Sequence, residues 1–108
     1  ATAVQYKLPV IIAILNNNFL GMVRQWQELF YDKNYASTLL STSPDFVKLA
    51  EAYGALGLRA SKPDEVVPNI KKALASKKPV LIDFVVDSEE GVYPMVPAGA
   101  SIDNMILL

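Results

Sequence analysis

The sequence predicts a three-layer α/β fold, in which helices flank both faces of a mostly parallel sheet. Residues 10–15 are continuously apolar and rich in β-branched side chains, which is typical of a strand covered on both faces, and residues 80–86 form another mostly apolar strand. Between these two runs the pattern predicts two helices, a short strand and a third helix. Because helices separate the strands, right-handed crossovers and a parallel sheet are expected.

The first predicted strand ends abruptly at three asparagines, Asn16 to Asn18. Asparagine competes for backbone hydrogen bonds and tolerates left-handed backbone conformations, so it favours a turn. From residue 19 onward the apolar residues recur at helical spacing, with polar residues on the opposite side. The apolar positions are Phe19, Met22, Val23, Trp26, Leu29 and Phe30, and the polar ones are Arg24, Gln25, Gln27 and Glu28.

The middle of the chain contains a helix, a short strand and another helix. The second helix is predicted to begin near Ser43, which is the expected N-cap and is followed by a proline. Gly54 is its predicted stop, and residues 55–60 form a short strand. Residues 61–64 match a capping box that starts the third helix, in which Pro68 predicts a kink or a later start.

The last apolar run and the two ends of the chain give further predictions. Asp83 interrupts the last apolar run and should lie at an edge or find a partner. Residues 87–108 are predicted to form an irregular arm, because their prolines and glycines exclude regular sheet, with one helical turn in 101–108. Residues 1–6 are typical of the end of a helix, and the chain is expected to be a piece of a longer protein.

Composition narrows the classes of protein. The 108 residues are 52% hydrophobic and 19% charged, which argues against disorder and suits one domain. A net charge of −1 makes nucleic acid and acidic membrane surfaces poor partners. Without cysteine or histidine, the chain has no disulfide, no thiolate metal site and no histidine base. No apolar run reaches the ~20 residues of a membrane span, so the cytoplasm is the expected location.

Two groups of residues are candidates for a site. Asn16 to Asn18 either cap the following helix or supply oxygen ligands to a Mg²⁺ ion that shares a bound phosphate. Met22 and Trp26 either belong to the core or form the wall of a pocket near those asparagines. The segment 94–99 is either a surface arm or a lid. The residues alone leave each pair of interpretations open.

Three strings of the sequence resemble acetohydroxyacid synthase, also called acetolactate synthase. They are Ile14-Leu15-Asn16-Asn17, then Gly21-Met22-Val23-Arg24-Gln25-Trp26-Gln27, and in the tail Tyr93-Pro94-Met95-Val96-Pro97-Ala98-Gly99-Ala100. The resemblance covers essentially all of residues 1–108 and implies the C-terminal part of the thiamine diphosphate-binding domain of the catalytic subunit. It implies an enzyme that condenses two 2-oxo acids with loss of CO₂ in branched-chain amino-acid biosynthesis.

The resemblance also implies roles for individual residues. Asn17 would bind Mg²⁺ through its side chain and Phe19 through its backbone carbonyl. Gly21 and Met22 would lie against thiamine diphosphate, and Trp26 and Ala98 would line the substrate channel. The implied partners are small 2-oxo acids, further copies in a homodimer or larger homo-oligomer, and a regulatory small subunit. The implied location is the bacterial cytoplasm or a plastid.

One part of the family pattern is missing from this sequence. The motif that ends in Asn-Asn opens in the family with Gly-Asp-Gly, and no Gly-Asp-Gly occurs here. The resemblance further implies that FAD and the catalytic glutamate belong to other domains, so no catalytic residue is assigned. These 108 residues alone are therefore expected to be inactive. The alternatives are another thiamine diphosphate-dependent 2-oxo acid decarboxylase or oxidase, or a non-enzymatic α/β interaction module.

Overall fold

The computed structural model describes residues 1–107, which form two compact units. The first unit comprises residues 1–18 and 40–87, and the second comprises residues 19–39 and those from Ser88 onward. The elements in chain order are α1 (Thr2–Gln5), β1 (Ile11–Asn16), α2 (Gly21–Phe30), α3 (Phe46–Ala52), β2 (Leu56–Ala60), α4 (Pro63–Ala75) and β3 (Val80–Val85). This order of strands and helices confirms the sequence-based prediction.

The first unit is built on a three-stranded parallel sheet with the order β1-β3-β2. Helices α3 and α4 pack on β2 and β3. The two helices cover opposite faces, because successive side chains of a strand point to opposite sides. Gly57 of β2 lies against Val47 of α3, whereas the next residue, Leu58, packs in one cluster with Ala73 of α4. The predicted α/β class with flanking helices is therefore confirmed.

The core of the first unit lies between the sheet and α4. It consists of Leu58, Ala73, Val80 and Ile82, with Leu56 and Phe84 packed against it. On the opposite face, α3 lies very near the sheet, since a Cβ atom at Gly57 would come within 2.6 Å of the Val47 carbonyl oxygen. Glycine at this position therefore sets how near α3 approaches the sheet.

Strand β1 differs from the prediction that its apolar run is covered on both faces. Ile12 and Leu15 remain exposed, Leu15 at 73%, whereas Val80 and Ile82 of β3 are buried. The reason is the strand order, because β3 is central and β1 is an edge that α3 and α4 do not cover. An apolar run thus identified a strand correctly but did not determine its neighbours.

The start of α3 corrects one detail of the prediction, and its end confirms another. Asp45, and not Ser43, is the N-cap of α3, because its carboxylate accepts hydrogen bonds from the backbone N–H groups of Val47 and Lys48. Gly54 follows the end of α3 with a φ of +83°, as predicted for a helix stop.

Helix α4 begins at Pro63, and the acid of its cap is Glu65. The Glu65 carboxylate accepts hydrogen bonds from the backbone N–H groups of Ser61 and Lys62. The predicted later start at Pro68 is wrong, because α4 already includes this proline as its sixth residue. Both helices therefore start with a carboxylate at their positive end.

The second unit consists of α2 and two irregular segments. Phe19 and Leu39 form an isolated antiparallel bridge, and Met95 and Ile106 form another. Residues Ile102–Asn104 form a single 3₁₀ turn, which confirms the short helical turn predicted near the end. Among residues 1–107 no helix is both long and apolar enough to cross a membrane.

Candidate functional site

The three asparagines after β1 have different structural roles. Both polar atoms of the Asn16 side chain form hydrogen bonds. Its Nδ2 donates to Asp83 Oδ1 at 3.0 Å, and its Oδ1 accepts from the Asn18 backbone N–H at 3.1 Å. Asn18 has a φ of +59°, a conformation that asparagine tolerates better than most residues, and its carbonyl accepts from the Leu40 N–H. Asn17, half-buried, lies between these two fixed residues.

Asp83 meets the prediction that it needs a partner. It is 1% exposed on the central strand, and besides Asn16 it accepts a 2.9 Å hydrogen bond from Arg59 Nε. Arg59 also donates from its Nη2 to Asp45 Oδ1 at 2.9 Å. One guanidinium therefore pairs with two carboxylates, one buried at the sheet and one at the start of α3.

These contacts shift the pKa values of two members of the group. The hydrogen bond to Asp83 is the main cause that raises the pKa of Arg59 above its ordinary value, with Asp45 contributing as well. The backbone N–H of Lys48 is the main cause that lowers the pKa of Asp45, and Arg59 lowers it further against some desolvation. Both shifts favour the charged forms.

The lowered pKa of Asp45 predicts how the stability of the fold depends on pH. Because folding lowers this pKa below its ordinary value of 3.8, the ionised carboxylate stabilises the fold fully above about pH 3.8. That contribution is lost as the pH falls through the folded pKa. Thermal midpoints measured from about pH 6 to about pH 3 should show an Asp45→Asn protein less stable at the higher pH, with a gap that narrows toward the lower. A gap independent of pH would contradict this.

A cavity of about 350 Å³ opens at the carboxyl end of the sheet in the first unit. Its lining is mainly polar and includes the ion-paired group of Asp45, Arg59 and Asp83. The residues are Asn16, Asn18, Leu40, Ser41, Ser43, Pro44, Asp45, Arg59, Asp83 and Val85. Ligands of open α/β sheets bind at the carboxyl ends of the strands, so this position is suited to a small polar ligand.

The buried and exposed sides of α2 are the reverse of those that its apolar spacing predicts. Arg24 and Gln25 are buried, whereas Met22, Val23 and Trp26 are exposed, Trp26 at 41%. The interpretation of the apolar stripe as core is therefore wrong. The cause is a set of polar partners in the irregular segments of the same unit, which a helical pattern does not reveal.

Arg24 is held by charges and by aromatic rings. Its guanidinium pairs with Glu28 at 3.0 Å and with Glu89 at 3.6 Å, and lies over the rings of Phe19 and Tyr35 at 5.4 and 4.8 Å. A guanidinium can be buried when its charge is paired and its planar faces stack on aromatic rings.

Gln25 connects α2 to the arm that follows β3. Its Oε1 accepts a hydrogen bond from the Val92 N–H at 2.8 Å, and its Nε2 donates to the Val92 carbonyl at 3.0 Å. The same Nε2 lies 3.5 Å from the Met95 sulfur. This pairing with both backbone groups of one residue fixes the start of the arm and explains why a glutamine, 5% exposed, occupies the inner face of α2.

The exposed side of α2 borders a second cavity of about 480 Å³. Its walls combine apolar side chains with an amide at each of two positions. The lining residues are Met22, Val23, Trp26, Gln27, Tyr31 and Asn34. Met22 and Trp26 therefore line a cavity, and none of Asn16 to Asn18 is among its lining residues.

The predicted site residues are divided between the two units. Asn17 belongs to the first unit, and the others, Phe19, Gly21, Met22, Trp26 and Ala98, belong to the second. Gly21 is the first residue of α2, and Ala98 is exposed in the arm. Of these residues, Met22 and Trp26 are brought together at one cavity.

The structural roles of Arg59 and Gln25 were missed by sequence reasoning. A signal existed for Arg59, because Arg59 and Asp83 each interrupt a mainly apolar strand with opposite charges. No comparable signal existed for Gln25, since its partner Val92 is 67 residues away in an irregular segment.

Comparison with known families identifies the fold. The family model for the C-terminal TPP-binding domain of thiamine pyrophosphate enzymes matches residues 1–84. The chain belongs to this family. The solved 4-hydroxybenzoylformate decarboxylase of Rhodococcus jostii RHA1, a thiamine diphosphate-dependent enzyme, is 34% identical and superposes with a TM-score of 0.72. The match covers 83% of this chain and 17% of the decarboxylase chain.

Among curated relatives, this thiamine pyrophosphate enzyme domain is similar to acetolactate synthases. It is 46% identical to the acetolactate synthase large subunit of Haemophilus influenzae, over 99% of this chain and 19% of the relative. It is 51% identical to acetolactate synthase of Mycobacterium leprae, over 90% of this chain and 16% of the relative. The chain thus spans about a fifth or less of the length of these relatives.

Asn17 is of a residue type that can supply an oxygen ligand to Mg²⁺. Mg²⁺ prefers oxygen ligands and usually takes one or two from protein, with phosphate oxygens and water completing its octahedron. The side-chain amide of an asparagine at the carboxyl end of a strand carries one such oxygen. Residues 1–107 contain no cluster of three or more acidic, histidine or cysteine side chains that would hold a metal alone. A metal site at Asn17 would therefore need ligands from elsewhere.

Proposed function

We propose that this chain is the cofactor-binding C-terminal part of an acetolactate synthase, which condenses pyruvate with pyruvate or 2-oxobutyrate and releases CO₂. The observation that carries the proposal is the 46% identity over 99% of the chain to an acetolactate synthase large subunit. The family membership of residues 1–84 supports thiamine diphosphate as the cofactor. Thiamine diphosphate supplies the stabilised carbanion that this class of reaction requires.

In this proposal Asn17 and Phe19 hold Mg²⁺, which in turn holds the diphosphate of the cofactor. Asn17 offers its side-chain oxygen, and Phe19 offers its backbone carbonyl, a ligand that does not depend on the side chain. The ion acts as a template and a Lewis acid, and takes no proton. The remaining ligands, including a carboxylate, come from outside residues 1–108.

The exposed side of α2 is proposed to face the cofactor and the substrates. Gly21 and Met22 contact thiamine diphosphate, because glycine at the start of a helix allows a ligand to approach the backbone closely. Trp26 and Ala98 line the channel of the second 2-oxo acid. The apolar cavity beside Met22 and Trp26 supports this role, since such walls exclude water from a reacting centre.

The whole enzyme is proposed to contain parts that this chain lacks. FAD binds to another domain, and the chain alone has no turnover. The enzyme works as a homodimer or larger homo-oligomer with a regulatory small subunit, in the bacterial cytoplasm or a plastid. Residues 1–108 form one part of the thiamine diphosphate-binding domain, with 87–108 as its arm.

The test of the metal role is Asn17→Ala in the full-length protein. We expect Mg²⁺-dependent binding of thiamine diphosphate, measured by calorimetry, to weaken by more than about tenfold. The loss of a direct metal ligand should weaken binding at least as much as the loss of a residue that only orients such a ligand. The matched control is Asn18→Gly, which removes a neighbouring amide but allows the same positive φ. Unchanged binding in Asn17→Ala would favour the non-enzymatic module.

A second candidate is a thiamine diphosphate-dependent 2-oxo acid decarboxylase. Its support is the 34% identity to the solved Rhodococcus decarboxylase. Analysis of the products from pyruvate separates the two candidates, since a synthase forms acetolactate from two molecules, whereas a decarboxylase forms an aldehyde from one. Acetaldehyde as the main product would overturn the proposed condensation.

A further inference from the structure

Asp83 connects all three strands near their carboxyl ends. It is opposite Ile14 of β1 and Arg59 of β2 in the sheet register, so these side chains project from the same face. Its Oδ1 accepts from Asn16 Nδ2, and its Oδ2 accepts from Arg59 Nε. A single buried carboxylate therefore holds side chains from both edge strands.

The contact with Asn16 continues into the turn that contains Asn17. The Asn16 amide has one donor end and one acceptor end, and each has a specific partner, Asp83 and the Asn18 N–H. Rotation of this amide by 180° would break both bonds, because like groups would then face each other. Asp83 thus determines which way the Asn16 amide points, and the Asn16 amide closes the turn around Asn17.

Arg59 makes the buried charge of Asp83 tolerable. A carboxylate that is 1% exposed needs a counterion, and Arg59 supplies one through a 2.9 Å hydrogen bond. Asp45 fixes the other branch of the same guanidinium at the start of α3. The group formed by Asp45, Arg59, Asp83 and Asn16 therefore runs from α3 across β2 and β3 to β1.

We propose that Asp83 is a positioning residue for the metal site, which acts through Asn16 to hold the turn that presents Asn17. This inference rests on the proposed Mg²⁺ role of Asn17 and adds two residues, Asp83 and Asn16, to which that role assigns nothing. Groups that orient metal ligands from behind typically change metal affinity by 10–100-fold when they are removed.

The test measures Mg²⁺ affinity in the full-length protein with thiamine diphosphate present, by calorimetry. Asn16→Ala and Asp83→Asn are each expected to weaken Mg²⁺ binding about 10–100-fold. Excess Mg²⁺ should restore turnover in both, since positioning is lost but the ligand remains. The control is Glu65→Ala, which removes a helix cap elsewhere in the same unit and should leave Mg²⁺ affinity within about twofold.

The exchange of the two side chains gives a sharper test. In the double variant Asn16→Asp/Asp83→Asn, the new amide at position 83 can donate to the new carboxylate at position 16 and still accept from Arg59. The carboxylate at position 16 can still accept from the Asn18 N–H. All three hydrogen bonds are thus retained, and the double variant is expected to recover Mg²⁺ affinity to within about fivefold of wild type.

The outcomes separate this inference from the proposed function. If Asn17→Ala weakens Mg²⁺ binding but Asn16→Ala and Asp83→Asn behave like Glu65→Ala, the positioning role is overturned and the metal site stands. If Asn17→Ala has no effect, the metal site itself is overturned. If Asp83→Asn does not fold, Asn16→Ala and the double variant still decide the question.

Discussion

Arg59→Met is expected to destabilise the sheet by about 3 kcal/mol, because it leaves Asp83 as a buried carboxylate without its counterion. Asp83 is 1% exposed and lies on the central strand, so water does not replace the lost guanidinium there. The Arg59 side chain is itself 41% exposed, which places the expected loss at the lower end of the range for buried pairs.

Hydrogen exchange of the full-length protein, read by mass spectrometry, measures this loss locally. The free energy of opening should fall in peptides that contain β3, since exchange reports stability segment by segment. Arg59→Lys is the matched control, because it keeps the charge but cannot bridge Asp83 and Asp45 with a planar fork, and should lose less. Equal protection in wild type and Arg59→Met would contradict the role of the ion pair.

The double variant Arg59→Met/Asp83→Leu separates stability from function. Replacing both members of a buried ion pair with apolar residues is often neutral or stabilising, so protection of β3 should return. Mg²⁺ affinity should not return, because Asn16 has lost the acceptor that orients its amide. A protein with a stable sheet and a weak metal site would show that Asp83 is retained for the turn and not for the fold.

The sequence was sufficient for those parts of the fold that local patterns determine. Apolar runs and the intervening helical patterns predicted the order of elements and a parallel sheet, and a glycine correctly predicted the end of α3. The Asn16 to Asn18 turn was also predictable, because asparagine has a local preference for it. The aspartate in β3 indicated by itself that a partner was required.

Other features depend on residues far apart in sequence. The inner face of α2 was misassigned because Gln25 and Arg24 find their partners in Val92 and Glu89, more than 60 residues later. Likewise, β1 has the composition of a buried strand, but whether its side chains are covered depends on its position in the sheet, which is at an edge. Periodicity shows which side chains share one face of a helix or strand, and only the tertiary contacts decide which face is buried.

Gly57→Ala is expected to destabilise α3 by about 1–3 kcal/mol, since the added methyl overpacks a close helix–sheet contact. A Cβ atom at position 57 would lie 2.6 Å from the carbonyl oxygen and 2.9 Å from the Cα of Val47. Both neighbours belong to the backbone of a helix, so no side-chain rotation relieves the contact and α3 must move. Removing glycine from the unfolded chain offsets only about 0.4–1 kcal/mol of this loss.

The double variant Gly57→Ala/Val47→Ala distinguishes a backbone clash from a side-chain clash. Truncation of Val47 removes only its Cγ1 contact, which lies at 2.9 Å, and leaves the carbonyl and the Cα in place. Hydrogen exchange of α3 should therefore show little rescue, and a rescue to wild-type protection would contradict the backbone assignment. Because Asp45 is the N-cap of α3 and pairs with Arg59, a shifted helix should also weaken that ion pair. The absence of a side chain at position 57 thus lets α3 bring Asp45 to the polar end of the sheet.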